Sequence, residues 1–474
     1  MESIFNILFY YILVPVFILG VAINIHELGH FLVAKFFGMR VEAYSFFGLG
    51  PRIWGFKRGH TDYRISAIPL GAYVKLYGDE ATAALEGGES EGEKVPESEL
   101  YELRPRWQKF LVMIGGPFMN IVLALSIPFI GAMLYGVPSM PAPIIGVVKA
   151  GSSAEQAGFK PGDRIVAFNN VESPTWRRIQ LDAAISPEKP VPVTVERSGQ
   201  FIQTEIVPRK EMISGGQEVG ILDIEPDMGA SPVIVGTVEP NTPAEEAGMK
   251  SGDRIVAING TNLRNMQQVG DLVQAGKDQP MRLTIERDGQ RQELTAQVRK
   301  LSDGRERLGF GYSRPVLPLE PATLSTAANH AFSANYEVLR LTGTVLGQVF
   351  TGQRSARDSG VAGPVGIFQQ SAQAAQTAGW SGIFYILMAI SLSLGIFNLL
   401  PIPLLDGGQI AVLAIEGFLG LFGLTLSMAI KEKIQLAGLA IILLLMVFTF
   451  FLDFSRIASS FGTQEQPAAN ATQK

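Results

Sequence analysis

Cysteine is absent from the 474-residue sequence, and histidine occurs only four times, at His26, His30, His60 and His330. Without cysteine the protein can form no disulfide, iron–sulfur cluster or thiolate metal site. A transition-metal site would therefore need His, Asp or Glu ligands. Charge is also sparse, because 18% of residues are charged against about 25% in an average soluble domain. With 39 basic and 44 acidic residues, the chain shows no basic excess that would indicate a nucleic-acid partner.

Apolar residues make up 47% of the chain, and they cluster in runs long enough to cross about 30 Å of hydrocarbon. A cleaved signal peptide is the alternative for the first run, but the N-terminus has no basic region and no small-residue cleavage site follows. Residues 410–433 are apolar but contain Glu416 and several glycines, so we interpret them as a cytoplasmic helix and loop. We predict an α-helical polytopic membrane protein with four transmembrane helices, in residues 1–40, 110–137, 372–409 and 434–453.

Basic residues indicate which side of the membrane each connection faces. By the positive-inside rule, the segments that follow the first run and precede the second and fourth are cytoplasmic. Both chain ends and the region 138–370 then lie outside. We also expect a cytoplasmic loop in residues 79–109, an amphipathic helical segment in 318–371 and a disordered tail in 454–474. The basic residues that set this topology are Lys35, Arg40, Arg52, Lys57, Arg58, Arg64, Lys75, Arg104, Arg106, Lys109, Lys431 and Lys433.

An internal repeat occupies the predicted outer region. Residues 157–169 recur as residues 247–259, with ten identities in thirteen positions, and strand-like segments precede and follow each copy. The shared pattern Ala-Gly-x-x-x-Gly-Asp-Arg-Ile-Val-Ala-x-Asn resembles that of bacterial PDZ domains. We therefore predict two extracytoplasmic PDZ (α+β) domains, in residues 143–228 and 229–312. A pair of unspecified small β domains is the alternative.

His26-Glu27-Leu28-Gly29-His30 forms an HExxH motif at the end of the first apolar run. On a helix, residues i and i+4 share a face, so both imidazoles can reach one Zn²⁺. Glu27 can then deprotonate the attacking water, whose pKa zinc lowers to about 7. Two helix-capping histidines are the alternative, but His and Glu are costly within a membrane and are usually functional there.

A catalytic zinc needs a third protein ligand, which the motif does not supply. Phe36 stands where a metzincin has its third histidine, and His60 and His330 lie in polar segments. Asp406 ends the third run, within Asn398-Leu-Leu-Pro-Ile-Pro-Leu-Leu-Asp-Gly-Gly408, whose prolines and glycines break the helix at membrane depth. Irregular backbone at that depth is tolerated where it lines a cavity. An interfacial helix cap is the alternative role for Asp406, but beside a two-histidine site that lacks a ligand we favour the metal.

An HExxH motif in the first transmembrane helix and NxxPxPxLDG in a late one resemble the site-2 protease family, peptidase M50. The position of the two PDZ motifs, between the second and third spans, resembles that in the bacterial members of the family. The segments Gly116-Pro-Phe-Met-Asn120 and Gly363-Pro-Val-Gly366 also resemble theirs. The resemblance implies an intramembrane zinc metalloendopeptidase that carries out regulated intramembrane proteolysis. It extends along nearly the whole chain.

The resemblance also implies roles for particular residues. His26, His30 and Asp406 would be the zinc ligands, Glu27 the catalytic residue and Asn398 a substrate-binding residue. The other two candidates for substrate binding are Asn120 and Tyr73. Asn120 is a weaker candidate than Asn398, since GxxxN can serve helix packing alone. Tyr73 lies in residues 41–78, where aromatic and β-branched residues alternate with Gly and Pro as in short strands joined by tight turns. We expect a membrane-reentrant β region there whose edge pairs with substrate, with an ordinary cytoplasmic hairpin as the alternative.

For partners, the resemblance implies single-span membrane substrates. These would be anti-sigma-factor-like proteins already cut outside by another protease in a sigma-E stress response, and remnant signal peptides. The protein would cross the inner membrane of a bacterium several times, with the active site near the cytoplasmic side and the PDZ domains periplasmic. The PDZ domains would bind peptide or substrate segments, or exclude bulky substrates by size. The alternative function is a PDZ-based membrane scaffold with a structural zinc site, which would need four closed ligands and no Glu27.

Overall fold

Long apolar helices dominate one part of the chain, and short strands dominate the other. The computed structural model separates a helical unit (Met1–Val137, Ser214–Gln217 and Pro321–Lys474) from a sheet-rich unit (Pro138–Ile213 and Glu218–Glu320). The structure describes residues 2–68, 71–78, 95–213, 217–227, 233–263, 266–276, 279–300, 306–313 and 319–462.

The helices of the described residues include a π-helical turn, Phe9–Leu13, and a 3₁₀ turn, Glu97–Glu99. The α-helices are, in chain order, α1 (Glu2–Leu8), α2 (Val14–Phe36), α3 (Arg106–Tyr135), α4 (Ser153–Gln156), α5 (Trp176–Ala184), α6 (Pro243–Glu246), α7 (Met266–Ala275), α8 (Leu324–Phe350), α9 (Pro364–Asn398), α10 (Asp406–Gly420) and α11 (Met428–Gly462).

Strands account for most of the remaining regular structure. They are β1 (Val41–Phe46), β2 (Leu49–Arg58), β3 (Thr61–Ile68), β4 (Tyr73–Leu76), β5 (Val137–Pro138), β6 (Ile145–Val148), β7 (Arg164–Phe168), β8 (Val171–Glu172), β9 (Val191–Arg197), β10 (Gln200–Ile206), β11 (Arg209–Ile213), β12 (Gln217–Ile221), β13 (Ile224–Pro226), β14 (Val233–Val238), β15 (Arg254–Ile258), β16 (Thr261–Asn262), β17 (Pro280–Arg287), β18 (Gln290–Gln297), β19 (Arg299–Lys300), β20 (Glu306–Arg307), β21 (Phe310–Ser313) and β22 (Leu319–Glu320).

Four helical stretches among the described residues are long and apolar enough to cross a membrane, which confirms the predicted number. They are Asn6–Phe36, Arg106–Tyr135, Pro364–Asn398 and Ala429–Ile457.

The boundaries of the last helices differ from the prediction. Helix α9 begins at Pro364, within the predicted amphipathic segment, and ends at Asn398. Non-helical dihedral angles at Gly379 (φ 57°, ψ −135°) divide it into two parts, so its amphipathic and membrane-spanning stretches form one kinked element. Helix α11 continues to Gly462, past the predicted start of the tail at residue 454. The rest of that tail, and residues 79–94 of the predicted cytoplasmic loop, lie outside the described residues.

Helices α2, α3 and α9 share an apolar core. Ile18 and Ala22 of α2 pack against Leu387 of α9, and Ala124 of α3 packs against Leu392 of the same helix. Small residues at these contacts let helix backbones approach closely, which is the main source of helix association in lipid. The HExxH helix therefore packs against both α3 and α9, which also contact each other.

Helix α11 leaves most of its apolar residues exposed, as expected of a lipid-facing span, but a buried carboxylate joins it to the start of α9. Asp453 is 3% exposed. Its two oxygens accept hydrogen bonds from the backbone N–H groups of Gly363 (3.1 Å) and Gly366 (2.9 Å). These N–H groups have no partner within the helix, and the positive end of the helix dipole favours a carboxylate there. Gly363-Pro-Val-Gly366 therefore forms a capped helix start.

Strands β1 to β4 form one sheet in the order β2-β3-β1-β4. Strand β1 pairs in parallel with β3 and antiparallel with β4, and β2 pairs antiparallel with β3. The strands expected in residues 41–78 are confirmed, and whether they enter the membrane stays a prediction. Val41 of β1 and Leu76 of β4 pack against Ala34 of α2 and Val112 of α3. The edge strand β4 is thereby packed against α2, which carries the HExxH motif, and against α3.

The internal repeat is also a structural repeat within the sheet-rich unit. Its motif strands, β7 and β15, pair with β9 and β17 in the same register: Arg164 lies opposite Glu196 in the first copy, and Arg254 lies opposite Glu286 in the second. Both pairings shift register at the same point of the motif, after Ile165 and after Ile255, respectively. The two copies therefore share detailed strand geometry as well as residues.

A buried ion pair recurs in both copies. Arg197 donates to both carboxylate oxygens of Asp163, and Arg287 does the same to Asp253, at 2.6 and 2.7 Å in each case. Burial alone would raise the pKa of Asp163, but hydrogen bonds from Arg197 and from the Lys160 backbone hold it below its ordinary value. The aspartate of the Gly-Asp-Arg motif thus links its turn to the end of β9 in the first copy and of β17 in the second.

Candidate metal centre and active site

Helix α2 presents His26 and His30 on one face, because residues four positions apart lie one above the other. Their ring centroids are 4.8 Å apart, and their Nε2 atoms are 3.2 Å apart. His26 is 6% exposed, and the side chain of His30 is 12% exposed. Two imidazole nitrogens therefore face one point inside the helical unit.

Asp406 reaches the same point from the other end of the chain. Helix α9 ends at Asn398 and α10 begins at Asp406, and between them Leu404 adopts φ 78°. That left-handed conformation is unusual for a bulky residue and is typical of strained segments at functional sites. Asp406 Oδ2 lies 3.1 Å from His26 Nε2, and Oδ1 lies 3.5 Å from His30 Nε2.

The three residues fit a zinc ion. Their donor atoms all lie within 4.8 Å of one another, and the buried Asp406 Oδ2 has no hydrogen-bond partner. Acceptor atoms held this close are unfavourable unless a cation or proton lies between them. A tetrahedral zinc with bonds of about 2.0–2.1 Å keeps neighbouring donor atoms roughly 3.3 Å apart. The separations of 3.1, 3.2 and 3.5 Å between the donor atoms are close to that value.

The other ring nitrogen of His30 identifies its tautomer. His30 Nδ1 lies 2.7 Å from the backbone carbonyl oxygen of Val112, which can only accept, so Nδ1 carries the proton and donates it. The lone pair is then on Nε2, the atom that faces His26 and Asp406. Metal-ligating histidines are commonly oriented through the second nitrogen in this way.

Helix α3 approaches α2 so closely that only glycine fits at two positions. A Cβ atom on Gly29 would overlap the carbonyl group of Gly115. A Cβ atom on Gly116 would lie 2.8 Å from His26 Nε2 and closer still to His30 Nε2. Gly116 therefore keeps open the space in front of both candidate ligand atoms.

Glu27 and the three candidate ligands line one cavity of about 300 Å³. Glu27 is half-buried and accepts a hydrogen bond from the backbone N–H of Val74. Val74 and Leu76 of β4 line the same cavity, as does Asn398 at the end of α9. A peptide in this cavity would meet a carboxylate, a cluster of metal-binding atoms and the edge of a β-sheet.

The three residues predicted to bind substrate are placed differently. Asn398 borders the cavity, and its Nδ2 lies 3.3 Å from His26 Nε2. Tyr73 belongs to β4, where its ring lies 5.1 Å from the Arg64 guanidinium; the β4 side chains that line the cavity are those of its neighbours. Asn120 has no exposed surface, and its Nδ2 lies 3.2 Å from His26 Nδ1. Substrate contacts by all three stay predictions.

The roles of Val74, Leu76 and Val112 have no signal in the sequence. Val74 and Val112 act through backbone groups, which every residue type carries, so no side-chain pattern could have marked them. Leu76 was recognisable only as part of a strand. Gly116 was visible within a motif, but its role depends on the packing of α3 against α2.

Comparison with known proteins identifies the family of this chain. The model of peptidase family M50 matches residues 14–445. A regulator of sigma-E protease, RseP, from Salmonella typhimurium is 31% identical over 458 residues, covering 93% of this chain and 97% of that protein. A protease RseP from Yersinia pestis is 32% identical over 465 residues, with the same coverage of both chains. A Vibrio cholerae protein assigned as a zinc metalloprotease is 29% identical over 469 residues.

A smaller likeness concerns the sheet-rich unit. A solved PDZ domain from Listeria monocytogenes covers 17% of this chain and 87% of its own, at 17% identity and a TM-score of 0.16.

The family match spans residues 14–445 and the identity with RseP proteins exceeds 30% along 93% of the chain. The chain therefore belongs to peptidase family M50, and it is a zinc metalloprotease of the intramembrane, site-2 kind.

Proposed function

We propose that His26, His30 and Asp406 hold the catalytic zinc ion and that Glu27 is the general base, and later the general acid, of peptide-bond hydrolysis. The observation that carries the proposal is the convergence of three donor atoms on the cavity that Glu27 also lines. A closed structural site would need a fourth protein ligand, and within the described residues the group has three members. Zinc content and cleavage, measured side by side on wild-type and Glu27→Gln proteins, test the proposal.

The proposed chemistry divides between the metal and the carboxylate. Bound zinc supplies Lewis acidity, which lowers the pKa of a water to about 7 and polarises the scissile carbonyl. Glu27 takes the proton that the water loses as its oxygen bonds to the carbonyl carbon. The same carboxyl group then delivers a proton to the amine as the C–N bond breaks. The hydrogen bond from Val74 N–H keeps the carboxylate at the cavity wall.

A transmembrane substrate satisfies its backbone groups within its own helix, so a segment must unwind before it can be hydrolysed. The Asn398 side chain offers both a donor and an acceptor to the freed backbone, and it borders the cavity. In Asn398→Ala, cleavage should fall roughly a hundredfold, as after loss of one preorganised donor, at unchanged zinc content. A loss of zinc would instead assign Asn398 to the metal site.

Strand β4 is the second proposed partner of the unwound segment, by strand addition. It lies at the edge of its sheet. The Tyr77 N–H donates to Arg40 on the β1 side, whereas the Val74 N–H faces Glu27. Because backbone groups alternate along a strand, the groups of Val74 and Leu76 point outward and those of Tyr73 point toward β1. We therefore move the proposed backbone contact from Tyr73 to Val74 and Leu76.

Two substitutions at position 74 separate the backbone contact from the side-chain contact. Val74→Pro removes the outward N–H, whereas Val74→Ala keeps it and trims the side chain. Cleavage of a single-span substrate should fall by up to about tenfold in the proline variant, since one hydrogen bond is worth up to about 1.5 kcal/mol. The alanine variant should cleave within about threefold of wild type, and both should retain zinc. The proline also removes the Val74 contact with Glu27, so equal activity of the two variants would argue against both that contact and strand addition.

The substrate class and the orientation in the membrane are supported by the relatives' names and by the distribution of basic residues. The relatives' names point to sigma-E regulation, and basic residues follow the first span. On these grounds we propose a single-span, anti-sigma-factor-like substrate trimmed first by another protease, with remnant signal peptides as a second class. The sheet-rich unit would form two periplasmic PDZ domains that contact peptide or substrate segments. A protease added on the periplasmic side should then cut within residues 138–320 and spare residues 95–105.

A further inference from the structure

Asn120 makes a closed set of contacts behind the proposed metal site. It lies on α3, one helical turn after Gly116, and has no exposed surface. Its Nδ2 lies 3.2 Å from His26 Nδ1, and its Oδ1 lies 3.3 Å from Ser391 Oγ. The Ser391 hydroxyl also donates to the Asn120 backbone carbonyl, at 3.0 Å. The polar contacts of Asn120 therefore run to one histidine and one serine.

The tautomer that metal binding requires decides which way the amide points. If the His26 Nε2 lone pair faces the metal, the proton lies on Nδ1, which is then a donor. An amide nitrogen 3.2 Å away would place two donors face to face. Rotating the Asn120 amide group by 180° exchanges the positions of its oxygen and nitrogen atoms, which are assigned from their hydrogen-bond partners. After that turn, Oδ1 accepts from His26 Nδ1–H, and Nδ2 donates to Ser391 Oγ.

We propose that Asn120 is a positioning residue of the metal centre. Its Oδ1 accepts a hydrogen bond from the protonated Nδ1 of His26, which fixes the tautomer and the orientation of the imidazole ring. A second hydrogen bond, between the Asn120 amide and Ser391, fixes the orientation of the amide. This inference rests on the proposed role of His26 as a zinc ligand. Helix α3 then orients both histidines, because the Val112 carbonyl holds His30 in the same way.

Two other roles for Asn120 are less consistent with its surroundings. Substrate binding would require access, but the side chain has no exposed surface and is not part of the cavity wall. Helix packing alone would require only its size, since its Cβ lies close to Gly395 of α9. Packing does not account for an amide placed between a ligand histidine and a hydroxyl group. Chemical variants of similar size separate these roles.

The test measures zinc affinity of the full-length protein by competition with a chelator. Asn120→Leu keeps the approximate size but has no acceptor, and Asn120→Ala removes the acceptor without crowding α9. Both should weaken zinc binding ten- to a hundredfold, the usual cost of losing an outer hydrogen bond to a ligand histidine. Asn120→Asp keeps an acceptor oxygen toward His26 and should bind zinc within about threefold of wild type, or more tightly.

The outcomes separate this inference from the function on which it rests. Wild-type affinity in both Asn120→Leu and Asn120→Ala would overturn the positioning role. Equal weakening in Asn120→Asp and Asn120→Leu would also overturn it and would assign Asn120 to packing. His26→Ala serves as the reference. If it binds zinc as tightly as wild type, the ligand assignment itself is wrong, whatever Asn120 does.

Discussion

Replacing Glu27 by glutamine should leave zinc bound but slow peptide-bond cleavage at least about a hundredfold, as expected when a positioned acid–base group is lost. Glutamine has nearly the same size, and its carbonyl oxygen can still accept from Val74 N–H. It cannot take a proton from water at neutral pH. The measurement is single-turnover cleavage of a single-span substrate in lipid, with the zinc content of the same preparation.

Glu416→Gln provides the matched control for that experiment. It makes the same chemical change in α10, at a residue that pairs with Lys431 at 2.6 Å and does not line the cavity. Its cleavage rate should stay close to that of wild type. Normal cleavage by the Glu27 variant would refute the acid–base assignment. A loss of zinc in that variant would make Glu27 part of the metal site.

A single methyl group at position 116 should remove zinc from the protein. In Gly116→Ala, the new Cβ atom would stand 2.8 Å from His26 Nε2 and nearer to His30 Nε2, so at least one imidazole must move away from the shared point. A displacement of about 1 Å in a catalytic group can cost about a hundredfold in rate. We therefore expect cleavage to fall by at least that factor, together with zinc content after dialysis.

Gly131→Ala isolates the steric effect. Gly131 lies on the same helix, and a Cβ atom added there would meet no atom within 4 Å. Both substitutions raise helix propensity alike, so a difference between them reports on the space at the histidines. Full zinc content and activity in Gly116→Ala would show that the two rings do not converge as described.

Several features of the site were predictable because they depend on local geometry. Helical spacing alone places His26 and His30 on one face, and the structure confirms that placement. The number of spans was predictable because a run of apolar residues is itself the physical requirement for crossing lipid. The broken helix before Asp406 was visible from its prolines and glycines.

Other features depend on tertiary packing and could not be predicted from the sequence. The Val112 carbonyl carries no side-chain signature, and the burial of Asn120 follows from helix contacts between distant parts of the chain. Helix α9 begins at Pro364, before the predicted start of the third span at residue 372, and its division at Gly379 follows from backbone dihedral angles that the sequence does not reveal. In the internal repeat, the Gly-Asp-Arg motif was visible, but the partner of its Asp163 is Arg197, on another strand.

The residues of the site are synthesised at very different times. His26 and Asn398 lie 3.3 Å apart in the folded protein but 372 positions apart in the chain. At roughly 5–20 residues per second, a ribosome needs about 20–75 s to make the intervening segment. Throughout that interval, the nascent chain carries the HExxH residues without Asn398 or Asp406. On the proposed site assignment, the chain therefore has no complete zinc site until Asp406 is synthesised, so that a growing chain is inactive without a removable pro-segment.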